Sequence, residues 1–397
     1  MYRIVSPVCG AIQSQHLEQK EKTMPLVHID LRKGKDAAYR QEIDKDRILI
    51  VGVGALGGTI AARALNAGLS VFVAVRNDEI ARSLRCSRLR ISGAGAPIVV
   101  PAFNIATIEQ YRGIEKFNFI LLATKAHEAL ELAPQLLDLL QPAGAIVSLQ
   151  NGCVPLMLAD RLGSENVLGG ISNLAATLVG PGRFEQRNTG NVVLGETKEG
   201  GISERVTRLA ELLGKGLEVR VTPNLRGIIW SKLLINCSAT TLGAITGKSM
   251  REYLRSPFGK EVFLRAYREV LAVALACGVR PEKMIVEPIP PNWPDEGAPE
   301  PALDSWLDKL LKVYGDGKAS MLQDLERGRR TEIDFINGYV SRLAGEVGVL
   351  TPMNSAIVDL VHQLEQKLNR PDLQQLNWLM ARASHCNGAR HRTMNHG

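Results

Sequence analysis

The 397-residue chain predicts an α/β domain with a doubly wound parallel sheet, followed by an all-α domain. Three observations predict it. RILIVGVGALGG at 47–58 reads as strand, tight glycine turn and helix; short apolar runs alternate with amphipathic stretches from Arg47 to about Thr222; and after Pro223 the patterning is helical almost to the end. On this basis residues 1–45 form an extension expected to be poorly ordered, 46–222 the α/β domain, 223–383 the helical domain and 384–397 a polar tail.

The apolar run Ile48–Val51 leads into Gly52-x-Gly54-x-x-Gly57, and Thr59–Leu65 continues in helix-forming residues. This is the order of a Rossmann-type dinucleotide-binding βαβ unit. Gly52 permits the turn, Gly54 keeps side-chain atoms away from a pyrophosphate, and Gly57 lets the helix lie on the strand. The anion would meet the N–H groups of Ala55, Leu56 and Gly57 at the helix N-terminus. A second strand, SVFVAV at 70–75, ends at Arg76, where an NAD-type site carries an acid for the ribose 2′-hydroxyl. Arginine suits a 2′-phosphate, so the expected cofactor is NADP (NADPH). The alternative makes Arg76 a solvated loop residue and Asp78 the ribose ligand. Arg82, Arg85, Arg88 and Arg90 follow, close enough in sequence to assist a phosphate.

Phe117–Ala123 and Ala145–Leu149 are the next strands, with a crossover helix over Ala129–Leu140 that Pro134 would break or restart. Ligands of open α/β sheets bind beyond the carboxyl ends of strands. Thr124-Lys125 and Gln150-Asn151-Gly152 stand at those ends, although a surface lysine and a plain turn would look the same. Val192–Gly195 and Glu218–Val221 complete the strands.

Leu225–Gly243 reads as a long, largely buried helix on which Lys232, Asn236 and Thr240 follow at i, i+4 and i+8 as one polar stripe. Lys232 is either a cleft lysine or one that snorkels to water. Ser320–Glu326 is followed by Arg327-Gly328-Arg329-Arg330, and Thr331-x-x-Asp334 fits a capping box that starts a new helix. Its apolar face is Ile333, Ile336, Val340, Leu343 and Val347, and Gly348 ends it. In one straight helix Ser320 and Glu332 would stand ~18 Å apart; a turn at Gly328 lets them converge. Glu332 could otherwise serve only the helix dipole. Thr351-Pro352 then starts another helix.

Composition narrows the field. A net charge of +7, with bases scattered among acids, fits a small polyanionic ligand at least as well as nucleic acid, and no nucleic-acid partner is expected. The six cysteines show no metal-ligand spacing, so no metal is expected and a reducing, cytoplasmic setting is. His385, Cys386, His391 and His396 read as a disordered end rather than a zinc site. No apolar run reaches the ~20 residues of a membrane span, so no membrane partner is expected. Residues 1–45 do not read as a signal or transit peptide, with some order around Leu26–Leu31.

GVGALGG at 52–58, ATKAHE at 123–128, LQNG at 149–152, WSKLLINC at 230–237 and SMLQDLERGRRTEIDFING at 320–338 together resemble the ketopantoate reductase (2-dehydropantoate 2-reductase) family over about Arg47 to Leu379. The resemblance implies NADPH-dependent reduction of ketopantoate to pantoate, in the pathway to pantothenate, at a cleft between the two domains. It implies Lys232 as catalytic lysine and Glu332 as its acidic partner. Asn236 and Ser320 would contact a small 2-oxo acid, with Asp324 nearby; Lys125 and Asn151 would face the ribose and nicotinamide end of the cofactor, and Arg76 the 2′-phosphate. Thr240 stands where members often carry a second asparagine. Pro281–Lys318 is longer and richer in proline than the family pattern; it is a lid, a homodimer contact or an idle insertion, and could reshape the pocket. Related NADP-dependent reduction of another 2-oxo acid and non-catalytic NADP sensing are the alternative functions.

Overall fold

A computed structural model describes residues 46–391 except 103, 114, 115 and 291–299. The extension 1–45 and residues 392–397 lie outside the described residues. Along the chain run β1 (Arg47–Val51), α1 (Ala55–Asn66), β2 (Ser70–Val75), α2 (Asp78–Ser87), β3 (Leu89–Gly93), β4 (Ile98–Val100), β5 (Ile105–Thr107), α3 (Ile108–Tyr111), β6 (Phe117–Leu122), α4 (Ala126–Leu136) and β7 (Leu140–Ser148). Then come α5 (Val154–Leu162), β8 (Val167–Ser172), β9 (Ala176–Gly180), β10 (Arg183–Gln186), β11 (Val192–Glu196), α6 (Glu204–Gly214) and β12 (Val219–Val221).

The main sheet has the order β12-β11-β8-β7-β6-β1-β2-β5. β1 neighbours both β2 and β6, so the winding reverses between β1 and β6 and opens a crevice at their carboxyl ends. The sheet is not wholly parallel, as the sequence led us to expect: β11 runs antiparallel to β8, and β12 follows β11. Nor did the sequence reading contain the smaller sheet β4-β3-β10-β9. It packs on α1, and Phe184 of β10 occupies the space that a Cβ at Gly58 would need. α4 runs through Pro134 instead of breaking there. A proline cannot donate to the carbonyl four residues back, and Arg161 supplies the missing donor to Leu130 O at 2.7 Å.

From Asn224, whose side chain caps Gly227 N at 2.8 Å, the fold is helical. The elements are α7 (Leu225–Ile235), a π-turn (Asn236–Thr240), α8 (Thr241–Thr246), α9 (Met250–Leu254), α10 (Gly259–Ala276), α11 (Glu300–Tyr314), α12 (Ser320–Glu326), α13 (Asn337–Glu346), α14 (Pro352–Glu365) and α15 (Gln375–His391). Leu225–Thr246 is one 22-residue helical run that contains an 18-residue window of mean hydropathy 1.3. This corrects the expectation that no run is long and apolar enough to span a membrane; 89% of its window is buried in this protein's own core, which includes Trp230, Phe263 and Val340. The helix α15 also continues to His391, past the expected start of the tail.

In the segment before Ser320, α11 is docked on α10. Trp306 is 2% exposed, its Nε1 donates to Glu287 O at 2.8 Å, and its ring meets Tyr267 edge-on with centroids 5.1 Å apart.

Candidate active site

The glycine turn is built for close approach. Gly52 has φ +98°, and a Cβ there would stand 2.7 Å from Thr124 Cγ2; one at Gly57 would collide with the carbonyl oxygen of Gly52. At Gly54 the direction of a Cβ is open, with nothing within 4 Å. Gly54 is also the N-cap of α1, contributing no side-chain cap, and no acid lies in the first turn. The amides of that turn therefore meet a clear space. Thr124 Oγ1, buried beside Gly52, has no hydrogen-bond partner. These features fit a dinucleotide pyrophosphate lying against the helix N-terminus.

At the next strand tip, Lys125 is the N-cap residue of α4, and its Nζ lies 2.6 Å from Asp324 Oδ2 and 4.0 Å from Glu332 Oε2. Glu332 reaches the same place from the helical domain. Its Oε1 accepts from Ala126 N at 3.1 Å and its Oε2 from Asn151 Nδ2 at 3.4 Å. Lys125, Asn151, Asp324 and Glu332 thus form one polar cluster across the cleft. Gln150 stiffens its sheet side: Ser148 Oγ donates to Gln150 Oε1 at 2.7 Å, and Gln150 Nε2 donates to Leu122 O and Thr124 O.

Lys232 projects from α7 to the end of β8, where Nζ donates to Ser172 O at 2.8 Å. Burial lowers its pKa from 10.5 to about 8, against the opposing pull of Glu332. One turn on, the helix widens, as helices frequently do at functional sites. The π-turn corrects the polar stripe: Thr240 Oγ1 donates back to Asn236 O at 3.0 Å, and Thr241 Oγ1 to the same oxygen at 2.7 Å. Thr240 is consequently engaged by its own helix, whereas the Asn236 side chain makes no hydrogen bond among the described residues.

A buried group holds this turn. Asn337 Nδ2 donates to Cys237 O at 2.9 Å and to Asn354 Oδ1 at 3.0 Å, and Asn354 Nδ2 donates to Glu269 Oε2 at 2.7 Å. The sequence reading missed Asn337, Asn354 and Glu269 as site supports, although Asn337 lies inside the motif that carried the resemblance.

The break at Gly328 is present, with φ +62°, and Gly348, at φ +72°, ends α13. The capping box is not. Thr331 Oγ1 accepts from Ile333 N at 3.2 Å, Asp334 pairs with Arg330 and His362 at 2.9 Å each, and α13 starts only at Asn337 after a 3-10 turn. Those two partners draw Asp334 out of the cap. Ser320 is exposed at the first residue of α12, one turn before Asp324 and on the same helix face.

On the adenosine side, Arg76 Nη2 lies 2.8 Å from Glu128 Oε1. Asp78 starts α2 behind the N-cap Asn77, in the position of a first-turn acid. Arg85 Nη1 donates to Ile105 O at 2.5 Å.

Family models give the same reading. Residues 48–199 match "Ketopantoate reductase PanE/ApbA" and residues 224–365 its C-terminal counterpart. The 2-dehydropantoate 2-reductase of Mesorhizobium japonicum is 29% identical over 343 residues, covering 80% of this chain and 97% of its own. Among solved structures, the 2-dehydropantoate 2-reductase of Geobacter metallireducens superposes with a TM-score of 0.67 at 23% identity, over 80% of this chain and 99% of that one. A D-mandelate dehydrogenase holding NADH and anilino(oxo)acetate superposes with 0.66 at 23% identity, over 81% and 99%. With both domains matched in order and the glycine turn, Lys232 and Glu332 around one cleft, the chain belongs to the ketopantoate reductase family of oxidoreductases.

Proposed function

We propose that the protein reduces ketopantoate to pantoate with NADPH, and that Lys232 is the general acid. The observation that carries this is the position of Lys232: its ammonium is held on Ser172 O beside the cleft, with a pKa lowered to about 8, close to working pH. A nicotinamide dinucleotide supplies the hydride when bound. Ala55, Leu56 and Gly57 would hold its pyrophosphate with their amides, Arg76 its 2′-phosphate, and Lys125 and Asn151 its ribose and nicotinamide end.

As hydride reaches the ketone carbon, negative charge grows on the carbonyl oxygen. Lys232 meets that charge and delivers the proton. Glu332 sustains the protonated state of Lys232 through its charge and, from its anchorage on Ala126 N, orients a substrate hydroxyl. Asn236 and Ser320 bind the polar end of the substrate, and Asp324 fixes Lys125. Reduction of another 2-oxo acid is favoured by one observation: Thr240 spends its hydroxyl on Asn236 O and so offers the substrate one donor fewer.

Oxidation of NADPH, followed by absorbance with ketopantoate and a panel of other 2-oxo acids, tests both readings. Turnover of ketopantoate that Lys232→Ala abolishes supports the first. An inert ketopantoate with a turned-over panel member supports the second, and a Lys232→Ala variant of near-normal rate would exclude the mechanism.

A further inference from the structure

A dinucleotide site usually reads the ribose 2′-hydroxyl with a carboxylate at the end of its second strand. Here that position is Arg76, yet a carboxylate is present all the same. It comes from Glu128, 52 residues further on, and its Oε1 lies 2.8 Å from Arg76 Nη2. Glu128 sits in the first turn of α4, where the helix dipole favours its negative charge. The Arg76 side chain is 78% exposed, and an ion pair so open to water adds little to stability. With a dinucleotide bound in the usual way at the end of the second strand, the pair would stand where NADH and NADPH differ.

Two other cations of this region already have a partner. Arg85 holds Ile105 O, and Lys125, three residues before Glu128, is committed to Asp324. A 2′-phosphate arriving at Arg76 would therefore meet a carboxylate already bound to the same guanidinium.

We propose that Glu128 is a cofactor-selecting residue of this chain. It accepts a hydrogen bond from the 2′-hydroxyl of a non-phosphorylated dinucleotide and has to leave Arg76 before a 2′-phosphate can bind there. The preference for NADPH is then narrower than Arg76 alone would give, and NADH is a usable cofactor. This rests on the reading of the cleft as a dinucleotide site.

Calorimetric titration of the full chain with NADP+ and with NAD+ tests the proposal without turnover, using wild type, Glu128→Gln and Arg76→Gln, each checked for an unchanged melting temperature. Removing one like charge next to the phosphate should tighten NADP+ about five- to tenfold in Glu128→Gln, with NAD+ unchanged or weaker. An unaltered NADP+/NAD+ affinity ratio in Glu128→Gln overturns the proposal, whatever Arg76→Gln does. Arg76→Gln decides separately whether Arg76 holds the phosphate. Failure of both dinucleotides to bind wild type would overturn the dinucleotide reading and the proposal with it.

Discussion

Glu332 of the helical domain accepts a hydrogen bond at 3.1 Å from the backbone N–H of Ala126, the first residue of α4 in the sheet domain. A carboxylate from one domain thus caps a helix of the other, which the helix dipole rewards, and the same side chain raises the pKa of Lys232. The contact fixes where the two halves of the site stand relative to each other. It also couples that position to the protonation of Lys232.

Glu332→Gln preserves the size of the side chain and an acceptor for Ala126 N but removes the charge. Lys232 then loses the partner that opposes desolvation, so its pKa falls below the present value of about 8. We expect the alkaline limb of the kcat/KM profile to move to lower pH and kcat to fall about 10- to 100-fold. A profile with its limb unmoved would show that Glu332 does not act on Lys232.

The Lys125–Asp324 pair also joins the domains, at 2.6 Å. Its carboxylate is 9% exposed and its ammonium 36%, so solvent screens part of the attraction. A double-mutant cycle with Lys125→Met and Asp324→Asn should give a coupling of about 1 kcal/mol in urea unfolding. A coupling indistinguishable from zero would mean that the pair forms without holding the domains together.

Asn337 is fully buried and binds both the π-turn and Asn354. Asn337→Leu leaves Cys237 O and Asn354 Oδ1 without that donor, at a cost of about 2–4 kcal/mol. Because the widened turn also sets the direction of Asn236, KM for the 2-oxo acid should rise while cofactor affinity stays unchanged. Calorimetric melting and steady-state kinetics would separate the two effects, and a stable variant with normal KM would remove Asn337 from the site.

What the sequence revealed follows from how local each determinant is. The β1 turn and β2 were legible because their glycines and apolar runs sit within 30 residues of one another. The smaller sheet was not: β3 pairs with β10, whose partners Arg90 and Arg183 lie far apart in sequence, and the half-exposed Val99 gives β4 no clear alternation. Pro134 misled because its compensation, Arg161, lies on another helix. Thr331-x-x-Asp334 misled for a related reason, since the cap depends on which side chains reach Asp334. Lys232 and Glu332 were singled out by local pattern and given their roles by motif resemblance, while the anchorage of Glu332 on Ala126 N needed the fold.

Lys232 finally offers a test that needs no substrate. Its pKa is about 8 in the folded protein against 10.5 for a free lysine. Between these values the unfolded chain binds the extra proton, so the contribution of this group to stability rises as pH goes from about 8 to 10.5 and is flat below. Below pH 8 the buried ammonium costs the fold its full penalty. Lys232→Met removes that penalty, so the variant should be more stable than wild type by about 1–3 kcal/mol at pH 7, with the difference shrinking as pH approaches 10.5. Urea unfolding of both proteins across this range would measure it. A pH-independent difference would mean that Lys232 titrates normally in the fold, and that a lowered pKa cannot be the source of its acidity.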